Sequence, residues 1–396
     1  MVLKKHFLNF GGLYVIALLP LELYSAVLPL FGKHWQVSAK AMQLSVSGFL
    51  FMAMVMELGV LFLMTQCALR VIYQALWLVA LFSVGLVMCY DAYSTFVLTR
   101  LLQGACAGGL LFIGRLHIEK TQIDQPQGFH LAYCAILFSH ALMIMLSPVF
   151  ATSVATKYGF PTLHGVLLIS YLGAGLIFYN WQKMSAHRRL SWSEWQTIQT
   201  MFFKEKDTIY YIVLAGVLGS FNICEIMFSA YYLTNAYHFT TYHLGIYLSL
   251  MQVFNMGARF TGGQILFFIK RAAMQKAMLV VLGLGFITLV IHAMLLTLTS
   301  YILACLLLSL ACNSLMVLYY INLTEMLALK FPRIGVAWFG CIQLGLPFIL
   351  TFIMSFLMHY WLNGFLLMMA GYVVAVYGLN TVVCRKLKLS PQLSGV

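Results

Sequence analysis

The residues with chemistry to offer are few, and they stand in unusual places. Glu22, Glu57, Arg100, Glu225 and Arg259 each lie inside a long apolar run, Glu325 lies near the end of another, and His140 and His292 sit at similar depth. A charge in apolar surroundings is costly unless paired or hydrated, so these side chains are functional candidates by default. A carboxylate near a guanidinium in a cavity is a workable proton-coupling element. The carboxylate releases its proton as substrate arrives, and the cation sets how easily it does so. At ~1.5 Å per residue, Glu22, Arg100 and Glu225 fall about 12, 9 and 14 Å below one surface, so a single layer can hold all three. Glu57 and Arg259 fall deeper, toward the opposite surface. The competing reading for each is a static structural ion pair, and for the histidines hydrogen-bonded packing. No HExxH, Ser/Lys or His-box spacing occurs, which argues against a membrane-embedded enzyme, and no metal or cofactor is expected. The nine cysteines are scattered singly without a CxxC pair and read as small buried apolar residues.

The elements that must position these residues follow from composition. Of 396 residues, 62% are hydrophobic and 8% are charged, with mean hydropathy +0.92. A soluble domain carries roughly 25% charged residues, so most of this surface faces lipid. Apolar runs of about 20 residues recur, the length of a membrane-spanning helix, and the short alternating segments of a membrane β-barrel are missing. Helices are predicted at 7–30, 43–65, 71–89, 94–117, 129–152, 162–183, 208–234, 243–269, 273–296, 299–323, 335–358 and 361–383. Lys4, Lys5 and His6 precede the first of these, which is too long for a signal peptide and reads as a true span.

Basic residues orient the chain. With the N-terminus cytoplasmic, the inner segments hold 18 of the 23 lysines and arginines and the outer ones only Lys33, Lys40 and Lys157; Arg100 and Arg259 lie within helices. That bias sets both termini in the cytoplasm of a multi-pass inner (cytoplasmic) membrane protein, and it accounts for the net charge of +13 without nucleic acid. The polar stretch 184–207 is the longest inner loop. It divides the chain into an N-terminal six-helix half, 1–183, and a C-terminal half, 208–396, and is read as a structural linker. The halves echo each other weakly, Glu22-Leu-Tyr-Ser-Ala against Glu225-Ile-Met-Phe-Ser-Ala. Paired halves related by an axis along the membrane normal are a transporter architecture. Gly104 and Gly108 form a small-xxx-small face for close helix packing beside Arg100. The aromatic residues and the 23 methionines read mainly as lipid-facing or core residues.

These residues resemble the major facilitator superfamily, most closely its bicyclomycin- and chloramphenicol-resistance-type branch of drug:proton antiporters. The pattern D-M-Y-L-P-A-L-P of that branch is similar to Glu22-Leu23-Tyr24-Ser25-Ala26-Val27-Leu28-Pro29, with Glu22 at the family aspartate. Gln43-Leu-Ser-Val-Ser-Gly-Phe-Leu50 resembles the opening of its second helix. The fourth-helix motif R-x-x-Q-G is intact as Arg100, Gln103 and Gly104, and resembles the family's proton-linked arginine motif. The family signature G-x-L-S-D-R-x-G-R-R falls on 61–70, where of the charged residues only Arg70 survives and Thr65 replaces the acidic residue. The fifth-helix antiporter motif is reduced to Ser147-Pro148 followed by Ala151-Thr152, so Pro148 is kept and the glycines are lost.

The resemblance implies an all-α membrane protein of about 12 transmembrane helices in two halves, a monomer with a central cavity. It implies proton-coupled movement of a small organic molecule, with export of a drug or metabolite expected first. Arg100 and Arg259 would equally suit an anionic metabolite such as a polycarboxylate siderophore or organic acid, and the degraded antiporter motifs are compatible with import.

Overall fold

The computed structural model describes residues 12–124, 145–179, 191–265, 268–330, 332–357 and 369–381. The described residues are almost entirely helical: α1 (Gly12–His34), α2 (Ala39–Gln66), α3 (Leu69–Cys89), α4 (Tyr93–Asp124), α5 (145–158), α6 (Phe160–Tyr179), α7 (Trp192–Lys204), α8 (Lys206–Ala236), α9 (Thr241–Ile265), α10 (Arg271–Leu295), α11 (Leu298–Lys330), α12 (Pro332–Leu357) and α13 (369–381). Lipid offers no hydrogen bonds, so a chain of this composition must satisfy its backbone within each segment, and a helix does so. Eight of the described helices are long and apolar enough to cross a membrane. Apart from α7, every helix overlaps one of the twelve predicted. Helices α4 and α11 run further than expected, and His140 lies outside the described residues.

Packing follows the same plan twice. In the first set α4 lies at the centre, against α1, α2 and α3; in the second α11 lies against α8, α9 and α10. The turns repeat as well. Trp35-Gln36-Val37-Ser38 links α1 to α2, and Tyr237-His238-Phe239-Thr240 links α8 to α9. Gln36 and His238 both take the left-handed conformation, each at φ 53°. Ser38 and Thr240 then accept from the backbone N–H three residues on, each at 3.3 Å, which satisfies an orphan donor at the start of the next helix.

The two sets meet chiefly where α2 lies along α12, with smaller contacts of α1 on α8 and α9 and of α4 on α11 and α12. Gly104 and Gly108 lie against the backbone of Phe49 and Ala53, where a Cβ would collide, so α4 presses directly on α2. The face of α10 and α3 away from the bundle carries Val71, Leu78, Phe82, Val280, Leu284 and Ile287, all exposed, as lipid requires.

Within the predicted linker the structure has a helix that composition did not suggest. Ser191 and Glu194 form a reciprocal capping box at the start of α7. Its Trp192 packs edge-on against Phe62 of α2, while Gln199 Oε1 accepts from Trp338 Nε1 of α12 at 3.3 Å. The linker helix therefore touches both sets.

Candidate functional site

Glu22 stands two residues beyond Pro20 in α1, buried, and its Oε2 has no hydrogen-bond partner among the described residues. The first halves of the two repeats meet here: Ser25 Oγ approaches Met227 Sδ of α8 at 3.8 Å. Two residues before Met227 stands Glu225, fully buried. Its Oε1 accepts from Ser229 Oγ at 3.0 Å and from Tyr247 OH at 3.4 Å, and Ser229 Oγ lies 2.7 Å from Tyr301 OH; Oε2 has no partner among the described residues.

Arg259 and Glu225 lie near enough to Glu22 to act on its carboxylate electrostatically. Among the described residues Arg100 forms no ion pair with Glu22. Arg259 sits lower on its helix, but a helical side chain leans toward the N-terminus of its own helix. In α9 that direction leads up to the carboxylates. Its Nε donates to Asn313 Oδ1 of α11 at 2.7 Å.

Arg100 is fully buried elsewhere. Its guanidinium lies over the rings of Phe49 and Tyr24, at 4.4 and 5.3 Å, and Nη1 donates to the Pro20 carbonyl at 3.0 Å and to Gln103 Oε1 at 3.4 Å. Arg100 Nε and Nη2 and Gln103 Nε2 have no partner among the described residues. Tyr24 OH in turn lies 2.8 Å from His164 Nδ1 of α6.

Glu57 belongs to a separate network. Arg115 Nη1 donates to its Oε1 at 2.5 Å, and Arg115 Nη2 donates to Gln343 Oε1 of α12 at 2.7 Å. Gly340 makes room, since a Cβ there would collide with both charged groups. Arg115 counts among the inner-loop cations by sequence; it is instead buried inside α4, which continues to Asp124. Glu57 is thereby part of a tie between α2, α4 and α12, at the end of the bundle where the degraded 61–70 signature lies.

His292 bonds Tyr232 OH at 2.7 Å and Ser300 Oγ at 3.0 Å, which fastens the end of α10 to the start of α11. Pro148 lies where α5 meets α9, its carbonyl and the Thr152 hydroxyl facing Gly245. No group of three or more His, Cys, Asp or Glu side chains suited to a metal occurs among the described residues.

No family model and no curated protein matches this sequence. Solved structures do match over nearly the whole length. A mutant of the nucleoside transporter NupG superposes with a TM-score of 0.66 at 14% identity, covering 95% of this chain and 99% of that one. A bacterial homologue of the human lysosomal transporter Spinster superposes in two inward-facing states. The unoccupied state gives TM-score 0.63 at 10% identity over 96% of this chain and 95% of that one; the occupied state gives 0.66 at 12% over 97% and 96%. The chain has the major facilitator fold. Glu22 lies on α1, which touches both α8 with Glu225 and α9 with Arg259.

Arg115, Gln343 and His164 did not stand out in the sequence, nor did the asparagines of α8, α9 and α11. The available signal was the low hydropathy of 241–265: α9 has 25 residues yet is not among the eight strongly apolar helices.

Proposed function

We propose that this chain is a proton-coupled secondary transporter of a small organic molecule, an exporter of a drug or metabolite in the inner membrane with both ends cytoplasmic. The observation that carries the reading is a pair of buried carboxylates on touching helices of the two halves, Glu22 on α1 and Glu225 on α8, each with one oxygen that has no partner among the described residues, with Arg259 on the adjoining α9. Two carboxylates facing one guanidinium balance their charge when one carboxylate holds a proton. Substrate entering the layer competes for the same oxygens and drives that proton off. The halves, 1–183 and 208–396, then rock about this layer while 184–207 tethers them. The intact Arg100, Gln103 and Gly104 motif supports the drug:proton antiporter branch.

The test uses purified full-length protein in vesicles with an imposed pH gradient, bathed in a water-soluble metabolite extract. Accumulation of a small molecule above that in protein-free vesicles, abolished by a protonophore, is expected. Accumulation indifferent to the gradient contradicts proton coupling.

A second reading is favoured by Arg100, whose Nε and Nη2 have no partner among the described residues. An anionic metabolite would satisfy them, and the same vesicles would then accumulate an acid.

A further inference from the structure

Three helices of the second half each turn a row of polar side chains to the same place. In α9 the row is Ser249, Gln252, Asn255 and Arg259, at offsets of 3, 6 and 10 residues that keep them on one side of a helix. In α8 it is Asn222, Glu225 and Ser229, and in α11 Ser309 and Asn313. Hydrogen bonds join the rows. Asn222 and Asn313 exchange bonds at 2.8 and 3.0 Å, and Asn313 Nδ2 also donates to Asn255 Oδ1 at 3.2 Å.

Polar atoms are left over around this core. Asn255 Nδ2, Gln252 Nε2, Ser249 Oγ, Ser309 Oγ and Glu225 Oε2 are buried and without partners among the described residues. A buried polar atom without a partner costs about 1–3 kcal/mol, and so many around one core call for a guest that supplies them. Packing does not require them, because leucine or alanine would fill the same volumes.

The geometry points to a substrate subsite here, built for an uncharged molecule that carries both hydrogen-bond donors and acceptors. This rests on the transport reading above and names the class of its substrate. The open amide nitrogens of Asn255 and Gln252 need acceptors, which a bare cation lacks. The open oxygens of Glu22 and Glu225 take part in hydrogen bonds with a guest, and with Arg259 offsetting their charge when one holds a proton the site has no net charge with which to select an ion. Hydroxyls serve the serines in either sense. A lipophilic drug satisfies none of these atoms. A polyhydroxylated or amide-bearing metabolite satisfies them together. A site built on hydrogen bonds also discriminates strongly, because a substrate lacking the matching group leaves the site's own groups unpaired.

The test fractionates the metabolite extract by ion exchange into neutral, anionic and cationic pools. Each is offered to vesicles holding the full-length protein, with the pH gradient imposed in either direction, and the contents are read by mass spectrometry. The enriched species is expected in the neutral pool, and Gln252→Leu and Asn255→Leu are each expected to lower its enrichment roughly tenfold, the weight of one hydrogen bond. Leucine matches the branched shape of asparagine and is one carbon shorter than glutamine, so neither replacement introduces a longer side chain. Protein yield and thermal melting, measured alongside, show that each variant is folded. Enrichment from the anionic or cationic pool overturns the substrate class and leaves the transport reading standing. Enrichment from no pool overturns the transport reading itself. Neutral enrichment unchanged in both folded variants overturns the subsite.

Discussion

Glu22 and Glu225 were conspicuous in the sequence because a carboxylate inside an apolar run has no structural excuse. The cation near Glu22, Arg259, was not legible. Distance along a helix fixes depth but not the direction a side chain faces, so the spacing of Glu22 and Arg100 could not say which groups each would meet. The asparagines were invisible for a different reason: an interhelical hydrogen bond between polar side chains averages only about 0.6 kcal/mol, so such residues are tolerated widely in membrane helices. For Arg100 the structure predicts a test of geometry rather than charge. Arg100→Lys keeps the cation but cannot bond the Pro20 carbonyl and Gln103 while lying flat on Phe49 and Tyr24. Transport is expected to fall at least about tenfold while the protein is still inserted and folded. Normal transport by Arg100→Lys would reduce the residue to a generic positive charge.

At the scale of helices, apolar runs gave the approximate place of every described helix except α7, and the Gly104/Gly108 spacing anticipated a close crossing. It could not say which helix is crossed. The structure answers with the backbone of α2 at Phe49 and Ala53. Gly104→Val is therefore expected to cost about 1–3 kcal/mol or more from overpacking, read as a lower melting temperature and less protein in the membrane, whereas Gly85→Ala, where no atom lies within 4 Å, should be neutral. The repeated turns 35–38 and 237–240 were legible in hindsight, as aromatic, left-handed, apolar and Ser/Thr cap in order. The α7 helix was not, because a polar linker hides a capping box unless Ser191 and Glu194 are read together. At the turn before α4, Asp91 accepts from Trp35 Nε1 and lies 2.8 Å from His34 Nε2, and the His34 bond holds its carboxyl below the usual aspartate range. The tie is present above that ordinary range and fades as pH falls through the lowered value. Because the turn is solvent-exposed, Asp91→Asn should change neutral-pH melting little.

For the whole molecule, the repeated packing of α1–α4 and α8–α11 gives two similar bodies, and the basic residues predict their orientation. A reporter or a labelled cysteine in 184–207 is expected to read cytoplasm. A periplasmic signal there would overturn the orientation. Glu57, Arg115 and Gln343 tie the halves at the end expected to face the cytoplasm. Cys341, half-buried beside Gly340 and within the field of Glu57, is a native reporter of that tie. Arg115→Leu is expected to speed its modification by a permeant maleimide severalfold, with Cys341→Ser as the control for the other thiols. An unchanged rate would make the network a local pair with no hold on the halves. The central claim is that the proton is carried in the layer of Glu22, Glu225 and Arg259, and uphill transport by Glu22→Gln under an imposed pH gradient tests it most directly. The variant imitates the protonated side chain, so it should exchange substrate across the vesicle membrane yet fail to accumulate it, while Glu22→Asp keeps part of the wild-type accumulation. Wild-type accumulation by Glu22→Gln would contradict the claim that Glu22 carries the proton.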